Sequence, residues 1–157
     1  MLKYINCGIV FQEIPDEVTL SINISNCPCH CPGCHSSYLW HDTGTPLDEN
    51  AIDNFVKVYG KDITCICLMG GDADPKRVNQ LAEYVSVKYP RIRTGWYSGR
   101  SRLAKEIEKS NFDYIKIGPY LKHLGGLKES TTNQRLYKKV DNSNFVDITS
   151  RFWKKQA

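Results

Sequence analysis

No apolar run in this 157-residue chain approaches the roughly 18 residues that a membrane-spanning helix needs. The start, Met1-Leu2-Lys3-Tyr4, has neither the apolar stretch nor the small-residue cleavage site of a secretory signal, so a cytoplasmic protein is expected. A block of like charge is missing as well. Lys plus Arg number 21 and Asp plus Glu 17, and the excess of +4 is spread along the chain; this speaks against nucleic acid and suits docking onto acidic proteins. Internal repeats, linkers and low-complexity segments are absent, and the length fits one domain, 1–157, around a single core. Cysteine, by contrast, is plentiful at seven. An odd number without an export signal makes a disulfide framework a poor reading and metal or redox use the better one.

The apolar pattern alternates between two periods. Extended segments are expected over 4–12 and 18–24, the second with Val18, Leu20, Ile22 and Ile24 at period two. Residues 48–59 read as a helix with Asp48 as its N-cap and Gly60 as its stop. A continuous apolar run over 63–69, ending in Gly70-Gly71, fits a strand buried on both faces. Pro75 opens a second helix, in which Val78, Leu81, Ala82 and Val85 recur at helical spacing up to Tyr89. A strand over 92–98, a helix over 102–109 and a strand over 112–117 follow. This order predicts βα units, a parallel sheet and right-handed connections that curl the sheet with its helices outside. The tail departs from it: 124–127 and 131–134 read as loop, and 135–140 and 145–148 flank Asp141-Asn142-Ser143-Asn144 as a hairpin.

Four cysteines and a histidine crowd into CPCHCPGC, residues 27–34, directly after the strand expected over 18–24. Cys27, Cys31 and Cys34 form C-x3-C-x2-C, with Cys29 between the first two. Structural zinc sites assemble from two separated ligand pairs. No second C-x-x-C pair exists here, and a zinc site completed by Cys29, His30, His35 or His41 stays open as the lesser reading. An iron–sulfur cluster normally takes four thiolates, so three on one loop leave one iron free for another ligand. The loop's position fits, because α/β folds bind ligands at the carboxyl ends of their strands. Plain buried cysteines interrupted by prolines would make a poor core element.

Other segments carry weaker signals. Gly70-Gly71-Asp72 ends the second βα strand, where glycines bare the backbone to a ligand and Asp72 can accept from an ammonium; the bland reading is a turn. Asn133-Gln134-Arg135 joins two amides to a guanidinium able to orient a peptide backbone or a carboxylate. None of His30, His35, His41 and His123 has a paired carboxylate motif, and none is assigned a catalytic task. Cys7, Cys65 and Cys67 read as structural.

The C-x3-C-x2-C loop after a first strand resembles the signature of the radical S-adenosylmethionine enzymes. That resemblance implies a partial, truncated (βα) barrel, here with a C-terminal loop and hairpin extension. It also implies a [4Fe-4S] cluster on Cys27, Cys31 and Cys34, with S-adenosylmethionine on the fourth iron and reductive cleavage to a 5′-deoxyadenosyl radical. Cys29 falls at a variable position, and Gly33 stands where the superfamily commonly has an aromatic residue over the adenine. Gly70, Gly71 and Asp72 resemble the Gly-Gly-Glu motif that holds the methionine amino group, with Asp one methylene shorter. Tyr97-Ser98-Gly99 is similar to the Tyr-Thr-Gly of glycyl-radical activating enzymes, which makes Ser98 a ligand hydroxyl.

More specifically, Ile115-Lys116-Ile117-Gly118-Pro119-Tyr120, Thr131-Thr132-Asn133-Gln134-Arg135 and Cys34-His35-Ser36-Ser37-Tyr38-Leu39-Trp40 resemble segments of the activating proteins of anaerobic (class III) ribonucleoside-triphosphate reductases. The implied activity is hydrogen abstraction from a reductase glycine, fed by a flavodoxin-like reductant. Two other classes remain open: a small-molecule radical enzyme similar to the 7-carboxy-7-deazaguanine synthases, and a non-catalytic metal-binding module.

Overall fold

The computed structural model of the chain describes residues 1–142 and 144–153. Its backbone is organised by one sheet. Period-two apolar residues build β1 (Lys3–Val10) and β2 (Thr19–Ile24), which pair antiparallel. A short β3 (Thr45–Pro46) joins the free edge of β1. The Asp48 carboxylate accepts the Ala51 backbone N–H at 2.9 Å and so starts α1 (Glu49–Tyr59). The apolar run continues as β4 (Cys65–Met69), and Asp74 with Pro75 at the first position starts α2 (Pro75–Lys88). Then come β5 (Arg93–Tyr97), β6 (Tyr114–Ile117) and the hairpin strands β7 (Arg135–Lys139) and β8 (Phe145–Asp147).

The sheet has eight strands in the order β3-β1-β2-β4-β5-β6-β7-β8. Its centre, β2-β4-β5-β6, is parallel as expected, whereas both flanks are antiparallel. Among the described residues the sheet is open at both edges, so the architecture is mixed α/β and not a closed barrel. The expected C-terminal hairpin is present, with Val140 N–H bonded to Asn144 O; Ser143, part of its expected turn, lies outside the described residues.

The helix expected over 102–109 does not form. Bends replace it, ending in a 3-10 turn at Lys109–Asn111. A lone helix of that length is marginal in water. Here the Glu108 N–H and the Asn111 amide are instead bound by Asn79 Oδ1 of α2, at 2.8 and 3.2 Å. Leu103 and Ile107 still pack on the core.

Alternation sorts the central strands into two faces. Leu20, Ile22, Ile24, Ile66, Leu68, Trp96 and Ile115 join Val78, Leu81 and Val85 of α2 and Ile52 and Phe55 of α1 in the main core. Cys65 and Cys67 point the other way, into a smaller cluster with Ile14, Tyr114 and Leu136. They are fully buried thiols, and burial raises both well above the usual range, so they stay protonated and behave as small apolar groups. Cys7 packs at the rim of the main core.

Candidate functional site

Four chain segments leave the carboxyl ends of the parallel strands side by side: 25–41 after β2, 70–74 after β4, 98–100 after β5 and 118–120 after β6. The first is the cysteine loop. Its entry is tied down by backbone bonds from Ser25 N–H to Lys3 O, Asn26 N–H to His41 O and Cys27 N–H to Leu39 O, at 2.9 to 3.0 Å. Between these ties the chain turns sharply. Asn26 and His30 hold positive φ of 60° and 44°, a left-handed conformation that Asn and His take more readily than most side chains and that Asp16 also adopts before β2. The His30 ring stacks on Trp40 at 4.7 Å between centroids, which steadies the residue.

Cys27, Cys29, Cys31 and Cys34 are all free and half-buried. The Cys34 N–H bonds Cys31 O at 3.0 Å, closing the turn that carries both, and Cys34 Sγ accepts the Ser36 N–H at 3.4 Å. The Cys27 thiol is drawn down to about 6, chiefly by hydrogen bonding from the Cys29 side chain and also from the Cys29 and His30 backbone, against its burial. The paired Cys29 thiol moves up for the same reason and keeps its proton. Cys29 is also held from outside the loop: its Sγ donates to Asp72 Oδ2 at 3.8 Å.

Asp72 is the hub of the next segment. It is only 8 % exposed, and its Oδ1 accepts the Ser98 hydroxyl at 2.5 Å while Oδ2 accepts the Gly99 N–H at 2.8 Å. Ser98 is itself buried, and its Oγ accepts the Arg100 N–H at 3.1 Å. The hydroxyl's one proton is thus committed to Asp72, making Ser98 the residue that orients that carboxylate. Asp72 hangs on a glycine pair that no other residue type fits: Gly71 has φ of +91°, and a Cβ there would lie 2.5 Å from Val78 Cγ2. Gly70 O accepts the Trp96 indole N–H at 2.7 Å, which locks the turn to β5.

Lys116 of β6 completes the rim. It is 7 % exposed, and its Nζ donates to Ser98 O at 3.1 Å and Gly118 O at 2.8 Å. Burial lowers its pKa to about 8, while the charges of Asp72, Cys31, Cys29 and Cys34 push back in favour of the ammonium. At the outer side of the loop, the Tyr120 ring, just after β6, stands 3.4 Å from where a Cβ of Gly33 would be, so an aromatic group lies beside that position, while the φ of +78° at Gly33 favours glycine there. A cleft of about 680 Å³ opens here, lined among others by Glu13, His35, Tyr97, Tyr120 and Lys122. Asn133 ties the tail to this rim by donating to Pro119 O at 3.1 Å; Gln134 is buried beside it, and Arg135 faces Asp147 at 3.7 Å.

The residues singled out from sequence therefore divide. Asp72 and Ser98 touch, Gly70 and Gly71 shape the turn beneath them, and the cysteine loop meets them through Cys29. Cys27, Cys31 and Cys34 share one loop, but the contact to Asp72 is made by the cysteine between them. Sequence reasoning assigned no role to Lys116 or Gly99. A lysine inside the apolar run Tyr114-Ile115-Lys116-Ile117 was the available signal for the first, since lysine is seldom buried without a purpose.

Among the described residues, no group of three or more His, Cys, Asp or Glu side chains converges as it would around one ion. Structural zinc requires four donors at one point, whereas the thiolates of a cluster stand on separate irons and need no common centre. Three half-buried thiols on one tethered loop, one of them acidic and one already accepting a backbone N–H, suit a cluster.

A scan against protein-family models matches residues 17–120 to the 4Fe-4S single cluster domain. Searches of curated proteins and of solved structures return no match. The matched span runs from just before β2 to just after β6 and so contains the four parallel strands and all four rim segments. With two thirds of its length covered by that match, the chain belongs to the 4Fe-4S single cluster domain family, and it is an iron–sulfur protein.

Proposed function

We propose that the chain is a radical S-adenosylmethionine activating enzyme, an oxidoreductase that places a glycyl radical on an anaerobic ribonucleoside-triphosphate reductase. One observation carries this reading: the cysteine loop, a buried Asp72 and the Gly70-Gly71 turn stand side by side on consecutive parallel strands. In this reading Cys27, Cys31 and Cys34 hold the [4Fe-4S] cluster and leave one iron for S-adenosylmethionine. The sheet is the opened, truncated form of the (βα) barrel, its missing third helix accounting for part of the truncation.

The chemistry supplied by a bound cluster is one-electron reduction of S-adenosylmethionine, from which a radical able to take hydrogen from glycine results. The protein's own part is to orient and to exclude water. Asp72, fixed by Ser98 and Gly99, presents a carboxylate edge to the ligand's ammonium. Gly70 and Gly71 supply the positive-φ turn, packed on Ile24 and Val78, that sets Asp72 in place. Tyr120 supplies the ring that Gly33 lacks. The cleft beside the loop is open enough to admit a glycine-bearing segment of a protein substrate. The excess of +4 favours an acidic electron donor of flavodoxin type. Spin-resonance spectroscopy of the reduced, reconstituted protein mixed with S-adenosylmethionine and a candidate reductase tests the assignment. A glycyl doublet that needs all three components is expected; cleavage of S-adenosylmethionine without any protein radical would redirect the reading to a small-molecule substrate.

A further inference from the structure

Among the described residues, three charged side chains are buried: Glu17, Asp72 and Lys116. Glu17 is closed off by an ion pair with Arg93 at 3.2 Å. Lys116 has no such partner. Two of its three N–H donors go to the carbonyls of Ser98 and Gly118, its Nζ stands 5.8 Å from the centroid of the Tyr97 ring, and among the described residues no oxygen or nitrogen accepts from the third. Asp72 acts on it by charge, yet no ion pair joins them among the described residues, and the Asp72 oxygens accept instead from Ser98, Gly99 and Cys29. A neutral amide would tie the same two carbonyls without the cost of a buried charge. The charge itself therefore has a use. Lys116 is tied to Ser98, whose hydroxyl holds Asp72, and Cys29 Sγ lies against Gly99 and Asp72 on the same rim, with the Tyr97 ring as the one aromatic neighbour of the ammonium among the described residues. The charges of Asp72, Cys31, Cys29 and Cys34 all favour the ammonium.

We propose that Lys116 is the built-in counter-cation of the anionic centre carried by the cysteine loop, a positioning residue that favours the more negative, reduced state of a cluster there. The inference rests on the reading that the loop holds a [4Fe-4S] cluster; it does not need the radical chemistry. A thiolate-ligated cluster gains one negative charge when it takes up one electron, and a fixed ammonium in a low-dielectric rim stabilises that state. Near pH 7, below its folded pKa of about 8, Lys116 is already an ammonium, and a more negative cluster only binds that proton more tightly, so the step is uptake of one electron from an external reductant.

The test is a mediated redox titration of the anaerobically reconstituted wild type, Lys116→Met and Lys116→Arg, followed by the optical and spin-resonance signals of the cluster, with iron content measured alongside. Lys116→Met is expected to bind iron as the wild type does, with reduction made at least tenfold less favourable, about 59 mV more negative for one electron. Lys116→Arg should restore most of the wild-type potential. Lys116→Gln, which keeps a donor for the two carbonyls, carries the same expectation as Met if the Met variant does not fold. Equal potentials in wild type and the neutral variants overturn the proposal and leave the cluster reading standing. A wild type that takes up no iron overturns both.

Discussion

The parallel strands carry a buried carboxylate at each end, and the two ends treat it differently. At the amino ends, Glu17 accepts from Thr64 at 2.8 Å and Tyr114 at 2.7 Å and pairs with Arg93, so its charge is neutralised inside the chain. At the carboxyl ends, Asp72 is held only by neutral donors, and the buried ammonium of Lys116 lies nearby without closing on it. A closed pair holds strands together; an open pair of opposite charges beside four cysteines keeps polar capacity for something that is not protein. The comparison locates function at one rim and stability at the other.

The largest expected effect breaks the site rim outright. Alanine at Cys27, Cys31 or Cys34 should each abolish iron uptake on anaerobic reconstitution, whereas Cys29→Ala, which loses its contacts with Asp72 and the Cys27 thiol but no ligand of the proposed set, should keep it. Equal iron loss in Cys29→Ala would show that the ligand set is wrong.

Next comes pH. Burial sets the folded pKa of Lys116 at about 8, below its ordinary 10.5. The unfolded chain then binds the proton more tightly, so folding is penalised below pH 8 and relieved as pH rises through the window from 8 to 10.5. Urea melts of metal-free protein should show wild type gaining about 3 kcal/mol over Lys116→Met across that window. The buried Cys65, Cys67 and Tyr97 are shifted up and act with the opposite sign, but they are common to both proteins and cancel.

The two carboxylates give the sharpest contrast. Glu17→Gln should lower stability by about 1–3 kcal/mol in denaturant melts and leave iron content and S-adenosylmethionine binding unchanged. Asp72→Asn should weaken S-adenosylmethionine binding by about tenfold or more, seen by equilibrium dialysis, while iron stays. If Glu17→Gln impaired ligand binding as strongly, the division between the rims would fail. The smallest effect is at the hinge between rim and core: Trp96→Phe removes the bond to Gly70 O and should cost about 1 kcal/mol or slightly more in a thermal melt.

The regular parts of this architecture were legible because their signals are local. Asp48 and Gly60 bracket α1, and the buried face of α2 is the one its spacing marks. The segment over 102–109 carries helical spacing at Leu103 and Ile107, yet Asn79, 29 residues before Glu108, captures the Glu108 backbone N–H; no local pattern reveals a competing acceptor on another element. Antiparallel pairing of β1 with β2 was equally hidden, since strand direction is decided by connections and not by period. At the site, CPCHCPGC and Gly70-Gly71-Asp72 announced themselves by composition, and their adjacency follows from neighbouring parallel strands. What sequence could not convey was division of labour: Ser98 orients Asp72, Cys29 links the loop to it, and Tyr120 fills the place beside Gly33.

The central claim is that the carboxyl rim is a catalytic centre for S-adenosylmethionine and not only a cluster holder. Anaerobic reconstitution, reduction with dithionite and chromatography of the products test it directly. The account predicts about four iron and four sulfide per chain, with 5′-deoxyadenosine and methionine formed by wild type and not by Cys34→Ala. A fully loaded protein that leaves S-adenosylmethionine intact would contradict it and reduce the chain to an iron–sulfur binding module.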